Sequence, residues 1–170
     1  MNSIVKIKLI FLEDNFFHIA GIQKLADIKE FIESRNKKLF FKSLFKKSCK
    51  DKTINQICSS LFFNDIVDRM NAIVKFDTLL KTYCADGKYI KFCKNKLLFT
   101  SMIEYDYVLI ITDDENTQYH YFVKNKDNNE SIIRSAFINS TDNYWKNQKL
   151  MLLRSIYLEE DNKLKCIYKK

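Results

Sequence analysis

The chain has 170 residues, of which 46% are hydrophobic and 14% aromatic, with Gly 2 and Pro 0. That is enough apolar surface for one folded domain spanning the chain, and too little glycine for a P-loop or dinucleotide-binding loop; collagen-like, linker-rich and disordered classes are excluded on the same grounds. A formal net charge of +8 and a pI near 9.1 favour a polyanionic partner, nucleic acid first. Residues 1–85 carry 15 basic and 9 acidic side chains, the remainder 14 and 12, so the first half owns the field.

The opening run 4–12 places Lys6 and Lys8 on one side and Val5, Ile7, Leu9 and Phe11 on the other, the period of a half-buried strand. Glu13-Asp14-Asn15 then offers capping side chains to a short helix or turn over 16–25, with Gly21 as its weak point. Asp27 is expected to cap a second helix with Ile28, Phe31 and Ile32 on one face. Over 37–47, Phe40, Phe41, Leu44 and Phe45 form one stripe, while Lys38, Lys42 and Lys46 recur every four residues on another, which makes a basic amphipathic helix. Thr53 is expected to cap the next helix (Ile54, Ile57, Cys58, Leu61). Asn64 or Asp65 would cap a longer one carrying Ile66, Met70, Ile73, Val74 and Leu80.

After the turn signal Asp86-Gly87 the texture changes to short strand-like runs at 89–93, 96–101, 105–112, 118–124 and 132–138, joined by polar loops at 113–116 and 125–129. Thr141 or Asp142 caps a short helix through Tyr144, Trp145 and Gln148, and 152–158 with 164–168 reads as a final hairpin. Helices followed by an antiparallel sheet predict an α+β domain with the helices on one sheet face.

The five cysteines, Cys49, Cys58, Cys84, Cys93 and Cys166, are odd in number and lack a C-x-x-C pair, so they read as free, mostly packed thiols without a disulfide framework or zinc site. No run approaches the roughly 20 apolar residues of a membrane span, and Lys6 and Lys8 interrupt the opening, so a soluble cytoplasmic protein without membrane contact is expected. Asp113, Asp114 and Glu115 read as a solvated turn, and neither a metal constellation nor a bound cofactor is indicated. A glycine-flanked nucleophile is absent too.

His120 lies inside an alternating run, on the face of Gln118 and Phe122, and reads as an ordinary strand histidine. His18 stands at the strand-to-helix junction, a common place for chemistry. The run Arg35, Lys37, Lys38, Lys42, Lys46, Lys47, Lys50 and Lys52, opposed only by Asp51, is either a solvated helix face or a phosphate track. A membrane-surface helix is set aside because its aromatics are needed to pack the domain.

The segment Asn15-Phe16-Phe17-His18-Ile19-Ala20-Gly21-Ile22-Gln23-Lys24-Leu25 resembles the N-F-x-H-[LI]-x-G-[LI]-x-K-L signature of phage-associated BECR-like nucleases, the group named for barnase, EndoU, colicin and RelE nucleases. Ile133-Arg134-Ser135-Ala136-Phe137, followed by Tyr144 and Gln148, is a second likeness, with Ala136 where the pattern has an aromatic. The resemblance runs from about residue 4 to 158. It implies a helical region packed on an antiparallel sheet whose face forms the active cleft, carriage on prophages or mobile elements, a toxin or host-conflict role, and an antitoxin or immunity protein as partner.

These residues together predict a metal-independent endoribonuclease in which the RNA 2′-hydroxyl attacks the adjacent phosphate. His18 is the candidate general acid or base, since imidazole titrates near neutrality, and Arg134 the phosphate clamp. Lys24 would be a second cation, with Ser135, Tyr144 and Gln148 as hydrogen-bonding groups. Lys38, Lys42, Lys46, Lys47 and Lys149 would guide the RNA, helped by exposed rings that stack on bases. The rival readings are a non-catalytic nucleic-acid-binding or regulatory module, and a phage effector that binds a host protein. Oligomeric state is not legible.

Overall fold

Strand-like alternation in the second half builds a sheet, and the periodic segments before it build the helices that cover one of its faces. The computed structural model describes residues 5–33, 37–47, 50–83, 90–94, 103–126, 130–139, 144–146, 148–161 and 163–169. Its strands are β1 (Lys8–Ile10), β2 (Ile90–Lys94), β3 (Tyr107–Thr112), β4 (Gln118–Asn125), β5 (Glu130–Ile138) and β6 (Lys149–Met151), in the order β1-β5-β4-β3-β2-β6. Every neighbouring pair is antiparallel except β1 with β5, so the sheet is mixed. A separate hairpin, β7 (Ser155–Glu160) with β8 (Lys163–Lys169), closes the chain. The helices are α1 (Glu13–Ile19), α2 (Lys29–Glu33), α3 (Lys37–Phe45), α4 (Lys50–Cys58) and α5 (Asn64–Tyr83). The architecture is α+β.

Five of the expected strands appear within two residues of their predicted starts. The opening strand is shorter than its alternation suggested: among the described residues β1 pairs with β5 at Lys8–Glu130, Leu9–Ser131 and Ile10–Ile132, and the chain enters α1 at Glu13. Leu9 reaches the core, whereas Val5 and Phe11 stay exposed. The run 96–101, the Asp86-Gly87 turn, the cap at Thr141 or Asp142, and Cys49 and Cys84 lie outside the described residues. Within the helix expected up to Gln148, the described Tyr144 is 3-10 helical, Trp145 and Lys146 form a turn, and the Gln148 N–H donates to the Trp145 carbonyl at 3.0 Å just before β6.

Glu13-Asp14-Asn15, Thr53 and Asp27, expected as caps, serve other ends, whereas α5 starts at Asn64, as the sequence predicts. Leu12, in an extended conformation, precedes α1 without a side-chain bond, and Glu13 and Asp14 sit inside the first turn, where negative charge complements the helix dipole. Thr53 lies within α4, fully buried, and donates to Ser43 Oγ at 3.1 Å, which in turn donates to the Phe40 carbonyl at 2.6 Å. That helix begins earlier than Thr53 because the Lys50 N–H already closes onto the Lys46 carbonyl at 2.9 Å. Asp27 sits in a 3-10 turn (Ala26–Ile28) and accepts from Ser60 Oγ at 2.5 Å and the Leu61 N–H at 2.8 Å, so it ties down the chain beyond α4. The Ser60 bond holds its carboxyl below the ordinary value.

Along α5 the buried positions are Ile66, Ala72 and Leu79, and Val74, expected inside, is 75% exposed. The helix lies over the sheet face that carries Leu109, Ile111, Tyr119, Tyr121, Ile133 and Ala136. Tyr121 donates to the Ala72 carbonyl at 2.8 Å, and Phe76 packs edge-on against its ring at 4.6 Å. Burial pushes the Tyr121 phenol far up. On the other face Cys93, Val108, Ile110 and Phe122 form a second core under Tyr105, Tyr144 and Trp145, so the centre of that face is packed with aromatics. His120 lies there, fully buried, its ring stacked near Phe122 and Phe137.

One irregularity in β5 matters for the site. Phe122 pairs with Ser135 and Val123 with Ile133, which leaves Arg134 as an extra residue opposite β4. Ile133 and Ala136, three apart, both enter the helix-covered core. Strict alternation would forbid that, and a β-bulge at Arg134-Ser135 accounts for it.

Candidate phosphate-binding corner

The corner begins where α1 ends. The Ala20 N–H closes onto the Phe16 carbonyl at 2.8 Å and the Gly21 N–H onto the His18 carbonyl at 3.2 Å, after which Gly21 turns into the left-handed region at φ +75°. Glycine is required there twice over, since an added Cβ would lie 2.6 Å from Arg69 Cδ and 3.2 Å from Ile66 Cγ2. Gly21→Ala is expected to cost about 1–3 kcal/mol of stability, combining left-handed strain with displacement of Arg69. A urea denaturation midpoint equal to that of the native chain would show that neither constraint operates.

Arg69, from α5, crosses over Gly21 and reaches around to β5. Its Nη1 donates to Ser135 Oγ at 2.7 Å, and its guanidinium carbon lies 5.6 Å from the centre of the Phe137 ring. Burial pulls the guanidinium below its ordinary value, and the nearby Tyr144 phenol acts in the opposite direction. Among the described residues no carboxylate lies within ion-pair distance of Arg69. A half-buried cation surrounded by a hydroxyl, a phenol and a ring, and with one donor engaged by Ser135, is built to receive an anion.

Of the residues expected from the sequence, Ser135 and Tyr144 lie against Arg69. His18 is half-buried in the last turn of α1, one hydrogen bond from Gly21, and its ring meets Phe17 at 5.8 Å. Lys24 is exposed at the end of the 3-10 turn (Ile22–Lys24) that follows. Ser135 is bonded to Arg69, and Tyr144 packs on Phe122 and Phe137 at 4.9 and 5.7 Å. Gln148 closes the turn begun at Trp145 and lies just before β6, away from β5. Arg134 is exposed, and its charge acts on Glu104, which precedes β3 and pairs with Lys124 of β4 at 2.9 Å.

The basic side chains divide into two groups. Lys38, Lys42, Lys46 and Lys47 are exposed on and just beyond α3, which packs against α1 through Phe16–Phe41 and Phe17–Phe40 ring contacts at 5.3 and 5.8 Å. Lys149 sits on β6, four strand spacings or about 19 Å from β5, at the opposite edge of the sheet. Phe45, expected inside the stripe, is 71% exposed, as is Leu39 at 56%, so the aromatics of α3 are not all spent on packing.

The residue that the sequence reading missed is Arg69. The signal was present: Arg69 follows Ile66 by three and precedes Ala72 by three, so it occupies the apolar stripe of α5. A cation on a core stripe must be covered by something polar. Asp113, expected in a solvated turn, is nearly buried instead, accepting from the Glu115 and Thr117 N–H groups at 3.0 and 2.9 Å and from the Tyr119 hydroxyl at 3.1 Å. It organises the β3–β4 turn. The packed-thiol expectation holds for Cys93 but not for Cys58 and Cys166, which are exposed. Among the described residues no helix is long and apolar enough to cross a membrane, and no group of three His, Cys, Asp or Glu side chains converges as metal ligands would. Comparison with family models, with curated proteins and with solved structures gives no match for this chain.

Proposed function

We propose that the chain is a metal-independent endoribonuclease, allied to the BECR-like nucleases and serving a phage or mobile element as a toxin or host-conflict effector inside the cell. The observation that carries the reading is the Arg69 cradle: a half-buried guanidinium without a carboxylate partner among the described residues, bonded to Ser135 and placed over the glycine that ends the His18 helix. In this reading Arg69 and Ser135 hold the scissile phosphate and stabilise the charge that builds on its oxygens. His18 takes the proton from the 2′-hydroxyl, whose oxygen attacks phosphorus, and the 5′-oxygen leaves with a proton supplied from the Tyr144 side. Lys24 adds positive field at the rim, Gln148 orients the strand, and Arg134 contributes from the exposed side of the bulge. The lysines of α3 bring the RNA in, and Lys149 meets a more distant part of it.

The test is product chemistry. Purified protein incubated with RNA in EDTA is expected to leave 2′,3′-cyclic phosphate and 5′-hydroxyl ends, and to spare a substrate with a 2′-deoxy sugar at the cut. Cleavage of the deoxy substrate, or dependence on added divalent metal, would defeat the mechanism. Salt-sensitive binding without scission of any RNA would make the chain a non-catalytic nucleic-acid module.

A further inference from the structure

We propose that the outer face of α3 is a single-strand subsite, on which Lys38, Lys42 and Lys46 hold successive phosphates of an unpaired RNA while the Phe45 ring stacks on one of its bases. The proposal rests on the endoribonuclease reading for the identity of the ligand and deepens it by naming the class, unpaired rather than duplex RNA. At about 100° per residue, Phe45, Lys38, Lys42, Lys46 and Leu39 follow one another in that order across an arc of about 120°. All five are exposed, and Phe40 and Ser43, on the other side of the helix, are buried.

The order within the arc decides the partner. The lysines occupy its centre and the apolar groups its two edges, whereas a helix lying in a lipid surface needs an apolar centre with lysines at the margins. Successive lysines are four residues apart, a rise of about 6 Å along the axis, comparable to the step between phosphates on an extended strand. Among the described residues the carboxylate paired with them is Glu13, whose Oε2 lies 4.0 Å from Lys38 Nζ. Phe45 leans on Phe41 at 4.9 Å, which steadies one side of the ring, and its 71% exposure leaves the rest open for a base. Duplex RNA has its base faces already stacked and offers this ring nothing.

The subsite also leads to the corner. Glu13 lies beside Lys38, Phe16 beside Phe41 and Phe17 beside Phe40, so α1 packs along α3. A strand lying along α3 passes beside the helix that carries His18.

Binding is measured by fluorescence anisotropy, using a short unstructured 2′-O-methyl RNA that the protein cannot cut and the same sequence as a duplex. The single strand is expected to bind at least about tenfold more tightly; Phe45→Ala should weaken it by about tenfold and leave duplex binding unchanged. Lys42→Ala and Lys46→Ala should each flatten the salt dependence of single-strand binding by about 0.7 in log–log slope. Equal affinity for both forms with no effect of Phe45→Ala would overturn the subsite, as would binding to phosphatidylserine vesicles in place of RNA. Single-strand binding that Phe45→Ala weakens, without scission of unmodified RNA, would sink the enzymatic reading and leave the subsite standing. Scission that Phe45→Ala does not slow, on single-stranded and duplex RNA alike, would do the reverse.

Discussion

His18→Ala is expected to lower RNA cleavage by about 10²–10⁴-fold, the usual contribution of a positioned acid–base group, while shifting the thermal midpoint by no more than a few degrees. The activity effect is large because imidazole is the side chain whose reference pKa, about 6.5, lets it take and return a proton at neutral pH. The stability effect is small because the ring is half-buried, on the last turn of α1, and the apolar anchors of that helix are Phe17 and Ile19. Single-turnover rates across pH give the sharper measurement: the native enzyme should show a pH-dependent limb that the residual activity of the variant lacks. His18→Ala protein that cleaves RNA at the native rate would remove the imidazole from the chemistry, whatever the rest of the corner does.

The strand-to-helix junction was legible because two periods meet there, alternation around Leu9 and helical spacing after Glu13, but His18, expected at that junction, lies at the far end of α1. The strands of the second half were legible for the same reason: a run such as Tyr119-His120-Tyr121-Phe122 has one face for each core and little freedom to be anything else. What escaped was set by tertiary contact. Gly21 looked like a weak point in a helix, yet it is the place where the side chain of Arg69 needs room. Thr53 and Asp27 have the chemistry of caps and were assigned to their nearest helices, but their partners, Ser43 and Ser60, are 10 and 33 residues away. The bulge at Arg134-Ser135 is invisible to a period-2 reading, because it is defined by the register against β4. Sequence spacing finds groups that share an element; it cannot find a guanidinium that joins a strand from a helix 66 positions earlier.

That distinction sets up the other large effect. Arg69→Met is expected to reduce cleavage by about 10²–10³-fold, the loss that follows removal of one preorganised donor from a developing oxyanion. Arg134→Met should cost less than about tenfold, because an exposed guanidinium in the field of Glu104 holds a phosphate loosely and through water. The two variants should also part in stability. Arg134→Met is expected to be neutral. Arg69→Met keeps the methylene packing over Gly21 and removes a cation that burial disfavours, so its urea midpoint should hold or rise even as activity falls. A stable, inactive Arg69→Met protein beside an active Arg134→Met one would place the anion at the α5–β5 corner. If instead Arg134→Met is the inactive variant and Arg69→Met cleaves normally, Arg69 serves only to fasten α5 to Ser135, and the phosphate belongs on the exposed side of the bulge.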